Sequence, residues 1–270
     1  MRMFGNFVGE APQRIIICGE NPSEWDRATQ SQFKSRPWKG PSNKLWPILL
    51  KEGIITAKAD EGSEQEMLDE IGFVDIGLAE WGLASTQAQG NFRKPGSKNN
   101  PAWFREYKPG FFARLAEHMQ RASDTIMCTC GECGAPAFLV FNSKTTYEKL
   151  LALDRMKVEG GIKCGLQTVK PKDWPLPETT KVYVMPSTSG LNRYFEDDGG
   201  FAVWKALSED MRAYFENRAW PFKPKCYPCR EDNLARQCRV VVKGGRKRSL
   251  SRLGRRSQAA LTDTDLQTVH

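Results

Sequence analysis

Residues 14–23 read RIIICGENPS and hold the pattern that decides the fold. Three consecutive isoleucines predict a short buried strand, because β-branched side chains suit a pleated surface that is covered on both sides. The glycine and the Asn-Pro pair that follow predict a tight loop at the carboxyl end of that strand. A buried strand that ends in a polar loop is typical of a parallel sheet with a ligand-binding edge.

Further strands and helices alternate along the chain on either side of this pattern. The sequence predicts strands over 73–78, 135–141 and 181–186, and helices over 43–52, 110–121, 144–153 and 201–215. Residues 85–107 are predicted to form a long loop, with Pro109 at the start of the helix that follows it. This alternation predicts an α/β fold, a three-layer α/β/α sandwich with a central, mainly parallel sheet.

The charge of the chain is concentrated near its end. Residues 1–222 carry 28 Lys or Arg and 28 Asp or Glu, whereas residues 223–270 carry 12 and 4. We expect a tail over 1–12, a folded domain over 13–221, which is the catalytic domain if the resemblance described below holds, and a basic, disordered tail over 222–270. Such a tail suits nuclear import or attraction to a polyanion. No apolar run is long enough for a membrane span and no signal peptide is evident, so an intracellular monomer without a membrane partner is expected.

The scarcity of histidine limits the chemistry. His118 and His270 are the only two histidines, so catalytic designs that need an imidazole as base or metal ligand are disfavoured. The cysteines suggest reduced thiols or a metal, because nothing points to an oxidising compartment. Cys128, Cys130 and Cys133 precede a predicted strand, and Cys164 follows the next helix, so these four thiolates are candidates for a structural Zn²⁺ site. The alternative is a set of free thiols.

Five stretches in collinear order resemble motifs of one enzyme superfamily. They are GENPS at 19–23, WKGPSNKLW at 38–46, FNSK at 141–144 with Tyr147 and Glu148 following, GLQ at 165–167, and MPSTSGLNR at 185–193. Together they resemble the uracil-DNA glycosylase superfamily, most closely its branch of mismatch-specific uracil- and thymine-DNA glycosylases. The resemblance covers about residues 14–217. It implies hydrolysis of the base–sugar bond at a G·U or G·T mispair in double-stranded DNA, in base excision repair.

The resemblance also implies a role for each matched position. Asn21 would be the catalytic residue, and its uncharged amide suits the orientation of a water. Gly19, Glu20, Ser23, Trp38 and Asn142 would contact the flipped base, with Trp38 stacking on it. The DNA-binding segment would comprise Ser187, Thr188, Ser189, Gly190, Leu191 and Arg193. Within it, Leu191 would fill the vacated stack and Arg193 would hold a phosphate or the orphaned guanine.

Two positions depart from the family pattern. The branch usually has an aliphatic residue at position 20 and glycine at position 23, whereas this chain has Glu20 and Ser23. Ser23 restricts backbone approach, and Glu20 either lies against the departing base or points away from it. These changes leave a non-catalytic DNA-binding or damage-sensing protein as an alternative. An enzyme of free nucleosides is a second alternative, which the basic tail disfavours.

The prediction is thus a monofunctional DNA glycosylase. Hydrolysis needs no cofactor, and no lysine stands where a Schiff-base nucleophile would be expected. Nuclear localisation is expected from the tail.

Overall fold

The computed structural model describes residues 3–20, 44–56, 66, 70–80, 101–128, 130–188 and 199–216. Its strands are β1 (Met3–Phe7), β2 (Ile15–Gly19), β3 (Ile71–Glu80), β4 (Phe138–Phe141), β5 (Gly165–Gln167) and β6 (Lys181–Val184). Its helices in these ranges are α1 (Leu45–Lys51), α2 (Pro101–Thr125), α3 (Lys144–Leu153) and α4 (Gly199–Phe215). No described helix combines the length and the apolar character that a membrane span requires.

The strands form one sheet in the order β1-β3-β2-β4-β6-β5. The four central strands β3, β2, β4 and β6 are mutually parallel. The two edge strands, β1 and β5, each pair antiparallel with their neighbour. The predicted mainly parallel sheet is therefore confirmed, with an antiparallel strand at either edge.

Alternate residues of each central strand face opposite sides of the sheet, as strand geometry requires. Ile15 and Ile17 of β2 pack with side chains of α1 and α4 in one core. Ile16 and Cys18 pack with side chains of α2 and α3 in the other. All four of these β2 side chains are fully buried. The three-layer α/β/α arrangement is thereby confirmed. It explains the continuous apolar run IIIC at 15–18, because both faces of β2 are covered.

Helix α2 is longer than the sequence predicts. It begins at Pro101 and continues through Pro109, which had been expected to start the helix after a loop over 85–107. Pro109 has no backbone N–H to donate within the helix. The helix nevertheless runs on, because Trp103 and Phe104 before the proline and Phe111 after it are all buried in the same core. Tertiary packing on both sides of Pro109 thus outweighs its local preference.

Neither of the two antiparallel edge strands is predicted from the sequence. Residues 1–12 were expected to be a tail, yet β1 lies within them and pairs with β3, Met3 with Glu80 and Phe7 with Phe73. Strand β5 has three residues and starts beside the end of β6, since Gly165 pairs with Val184. Residues 222–270, the expected basic tail, lie outside the described residues.

Candidate active site

The carboxyl ends of the parallel strands bring three of the predicted motif segments together. Asn142, directly after β4, donates its backbone N–H to the carbonyl oxygen of Cys18 in β2 at 2.8 Å. Met185, directly after β6, donates to Phe141 at 2.9 Å. The ladder hydrogen bonds therefore continue past the ends of β4 and β6, and they place the segments that begin at Gly19, Asn142 and Met185 side by side at one edge.

The side chain of Asn142 is held from inside the protein. Its Nδ2 donates to Oγ1 of Thr188 at 2.9 Å, and Thr188 is fully buried. The carbonyl oxygen of Thr188 in turn accepts the backbone N–H of Lys44, the residue that precedes α1, at 2.9 Å. Thr188 thus supports Asn142 and ties it to Lys44, directly before α1. This role differs from the DNA contact predicted for Thr188.

The second amide atom of Asn142 has a different environment. Oδ1 is buried and accepts no hydrogen bond in the described structure, whereas Nδ2 is engaged with Thr188. A buried oxygen in this state is energetically unfavourable by about 1–3 kcal/mol unless a ligand or water donates to it. Asn142 therefore presents an acceptor of fixed orientation at the carboxyl edge of the sheet.

Glu20 is half-buried and directed towards α3. Its Oε1 accepts a hydrogen bond from Oγ1 of Thr146 at 2.9 Å, and Thr146 is buried in the first turn of α3. Burial lowers the pKa of nearby Lys149, and the charge of Glu20 opposes that shift. The carboxylate therefore has both a hydrogen-bond donor and a positive charge on the α3 side.

Beneath this loop, Arg114 of α2 holds the carboxyl half of β3. Its Nη2 donates to the carbonyl oxygens of Asp75 at 2.6 Å and Ile76 at 2.8 Å. The next residue, Gly77, donates its N–H to the carbonyl oxygen of Glu20 at 2.8 Å. Arg114 thus fixes the strand to which the backbone of Glu20 is hydrogen-bonded. The Asp75 side chain is 2% exposed, so it is buried.

Cys18, at the same place, is an unreactive thiol. Burial raises its pKa well above the ordinary value, and the charge of Asp75 acts in the same direction against the weaker effect of Arg114. Since the thiolate is the nucleophilic form, Cys18 serves packing and not catalysis.

The structure describes Gly19, Glu20, Asn142, Ser187 and Thr188 among the predicted site residues, and it brings them to one edge of the sheet. The other predicted site residues lie outside the described ranges: Asn21, Ser23, Trp38, Ser189, Gly190, Leu191 and Arg193. Their roles stay predictions. Sequence reasoning missed the supporting residues Thr146 and Arg114, for which neither motif nor spacing gives a signal.

Three of the four predicted metal ligands lie together. The Sγ atoms of Cys128, Cys130 and Cys133 are all within 4.8 Å of one another and could hold a metal such as Zn²⁺. Burial raises the pKa of the Cys128 thiol, but hydrogen bonds from Cys130 and Cys133 outweigh burial and bring the pKa down to about 6.

The prediction that Cys164 joins this group is wrong. Burial raises the pKa of the Cys164 thiol, and the charges of Lys144 and Glu148 are close enough to affect that pKa as well. Both residues lie in the first half of α3, near the carboxyl edge of the parallel strands, so Cys164 lies near that edge too. We expected the chain after α3 to stay near the start of β4. It instead returns across the sheet, because β5 is antiparallel and begins beside Val184 at the end of β6. Cys133, by contrast, precedes β4 at the amino edge.

The mainly parallel sheet with helices on both faces places the chain in the α/β class, in which ligand sites usually lie at the carboxyl edge of the strands. Comparison with protein families identifies the particular one. Residues 7–212 match the uracil DNA glycosylase superfamily, so the chain belongs to that superfamily and is of the DNA N-glycosylase type that acts in base excision repair. The comparison with curated proteins found no match.

Proposed function

We propose that the chain is a monofunctional glycosylase that removes uracil from mispaired sites in double-stranded DNA. The observation that carries this proposal is the state of Asn142. Thr188 holds Nδ2, and the buried Oδ1 is left to accept a hydrogen bond. The N3–H group of uracil or thymine is a donor of the required kind. Cytosine has no hydrogen on N3, so the same acceptor would disfavour it.

The reaction adds water across the base–sugar bond. The bond between C1′ and the base nitrogen breaks, the water oxygen bonds to C1′, and the released base takes up a proton. We assign the orientation of that water to the amide of Asn21, next in sequence to Glu20. Backbone N–H groups of the 19–23 loop would stabilise negative charge on the departing base. No step needs a metal or an organic cofactor.

The position of Glu20 favours catalysis over a purely DNA-binding role. A carboxylate beside the departing base would oppose its negative charge. Thr146 and Lys149 instead attract the Glu20 side chain towards α3. This residue departs from the family pattern, yet its position is compatible with an anionic leaving group. Thymine is a substrate only if its methyl group fits beside Ser23 and Glu20.

DNA binding is assigned to two parts of the chain. Ser187, Ser189, Leu191 and Arg193 would engage the backbone and the vacated stack at the lesion. The basic segment 222–270 would add sequence-independent attraction and nuclear import. We propose a monomer, because one chain contributes every site residue that the sequence identifies.

A panel of substrates tests the proposed function. Single-turnover base release is measured from duplexes that contain G·U, G·T and A·U, from single-stranded uracil DNA, and from free uridine. The proposal expects release from G·U to be fastest and uridine to be inert. Equal rates on G·U, A·U and single-stranded DNA would contradict mismatch specificity. Hydrolysis of uridine alone would instead support the nucleoside enzyme.

Substitutions at the Asn142 support separate base recognition from folding. Thr188→Val removes the oxygen that accepts from Nδ2, whereas Thr188→Ser keeps it. Loss of one hydrogen bond of about 0.5–1.5 kcal/mol predicts a decrease of about 2- to 12-fold in excision by Thr188→Val. Thr188→Ser should remain close to wild type, and Asn142→Ala should lose more than either. Equal losses in the Val and Ser variants would reject the hydrogen bond as the cause.

A further inference from the structure

The loop between α2 and β4 carries a cluster of thiols that the proposed hydrolysis does not use. Sγ of Cys130 lies 3.1 Å from Sγ of Cys128 and 3.4 Å from Sγ of Cys133. Ligands on a tetrahedral Zn²⁺ with Zn–S bonds of about 2.3 Å have sulfur atoms about 3.8 Å apart. The three sulfur atoms lie within 4.8 Å of one another, so small movements of the cysteine side chains would let all three bind a single ion.

The backbone of this loop is fixed before any ligand is considered. Cys128 donates its N–H to the carbonyl oxygen of Ser123 at 2.8 Å, and Gly134 donates to Oγ of the same serine at 2.8 Å. Both ends of the loop are thus bound to one buried residue in the last turns of α2. Gly131, in the middle of the loop, has a φ of +76°, which favours glycine. The two ends of the loop are therefore held by contacts that involve no thiol.

Gly134 shows how closely the loop packs on α2. A Cβ atom at this position would lie 2.1 Å from the carbonyl oxygen of Met119 and 2.3 Å from the backbone nitrogen of Ser123. These atoms are backbone and have no freedom to move aside. The loop is therefore seated directly on the helix, and the separations between its three sulfurs are set by the fold.

We propose that Cys128, Cys130 and Cys133 together bind one Zn²⁺ ion as three thiolate ligands. Thiolates are the preferred ligands of Zn²⁺, and any of the three sulfurs that is still protonated releases its proton to solvent when the metal binds. The backbone N–H of Glu132, which points at Cys130 at 3.5 Å from Sγ, would help to neutralise the thiolate charge. An iron–sulfur cluster fits less well, because its thiolates bind different iron atoms and stand farther apart.

The role assigned to this ion is structural. The cluster precedes β4 and lies at the amino edge of the sheet, whereas Asn142 follows β4 at the opposite edge. A Zn²⁺ ion at the amino edge cannot activate water at the base–sugar bond. It would join residues on both sides of the turn between α2 and β4, two elements that form opposite walls of one core. The inference is independent of the proposed glycosylase activity.

Metal content tests the proposal on the full-length chain. Wild-type protein produced with zinc is compared with the triple variant Cys128→Ser, Cys130→Ser, Cys133→Ser. The matched control is Cys164→Ser, which removes a half-buried thiol outside the cluster. Elemental analysis should show one zinc ion fewer per chain in the triple variant and no loss in the control. Equal zinc content in wild type and triple variant would overturn the proposal, whatever Cys226, Cys229 and Cys238 bind.

A second measurement avoids any variant that fails to fold. Cys130 is exposed, so as a free thiol it would be accessible to an alkylating reagent in native wild-type protein. The proposal expects slow alkylation of Cys130 that becomes at least tenfold faster after a zinc chelator is added. Rapid alkylation before the chelator would overturn it. The proposal would also be overturned if a reductant, and not the chelator, made Cys130 available for alkylation, because that outcome identifies a disulfide.

Discussion

The buried imidazole of His118 makes the stability of this fold depend on pH. His118 lies on α2 and is fully buried. Burial lowers its pKa to about 4 from an ordinary value of 6.5, and Arg121 acts in the same direction against a weaker contact with the backbone of Gly9. Between these two values the unfolded chain binds a proton that the folded chain rejects. Stability from neutral His118 is therefore complete above pH 6.5 and is lost as the pH falls towards 4.

The size of this effect follows from the two pKa values. The interval between 6.5 and about 4, at about 1.4 kcal/mol for each pH unit, corresponds to about 3 kcal/mol of unfolding free energy at pH 4 and below. At pH 5 the same relation gives about 2 kcal/mol. These values are a substantial part of the unfolding free energy of a typical domain, which is about 5–15 kcal/mol.

The contribution of His118 to the pH dependence of stability is measured by urea unfolding of wild type and His118→Gln between about pH 4.5 and about pH 7.5. Carboxylates titrate in both proteins, so the quantity of interest is the difference between their pH dependences. The variant should lose about 2 kcal/mol less than wild type between pH 7.5 and pH 5. His270→Gln, which removes the one other histidine, should behave as wild type. If the unfolding free energies of wild type and His118→Gln fell in parallel with decreasing pH, His118 would not contribute to the pH dependence.

Three further changes test other parts of the structure. Gly134→Ala should destabilise the fold by about 3 kcal/mol or more, because its Cβ would overlap the backbone of α2. The control is Gly110→Ala at an exposed helical position, which should be neutral or slightly stabilising in the same urea assay. Thr146→Val should slow base release by about 12-fold or more, because the charged Glu20 loses a hydrogen bond of about 1.5–3 kcal/mol, with Thr146→Ser close to wild type. Removal of residues 223–270 should weaken DNA binding and make its salt dependence shallower, and an unchanged slope would reject tethering by the tail.

The central elements of the fold were predictable because their sequences carry strong local signals. RIIICG gave β2, and the predicted helix over 144–153 agrees with α3. The edge strands could not be predicted, because MFGNF and GLQ become strands only through pairing with β3 and β6. The start of α2 was misplaced at Pro109, because the packing that carries the helix through the proline is set by residues distant in sequence.

The candidate site was predictable in its parts and not in its connections. The motifs named Glu20, Asn142 and Thr188, but the bond between Asn142 and Thr188 joins residues 46 positions apart. No local pattern encodes such a contact, nor the hydrogen bond that directs Glu20 towards Thr146. The error with Cys164 has the same origin, because the antiparallel direction of β5 determines to which edge that thiol returns.

The proposal of base excision through an asparagine-held water is tested most directly at Asn21. Uracil release from a G·U duplex is measured under single-turnover conditions for wild type and Asn21→Ala, with DNA affinity measured in parallel. We predict release by wild type, a rate at least about 100-fold lower in Asn21→Ala, and similar affinities. If both proteins bind the duplex and neither releases uracil, the chain is a DNA-binding protein that does not catalyse. If both release uracil at equal rates, Asn21 does not hold the water.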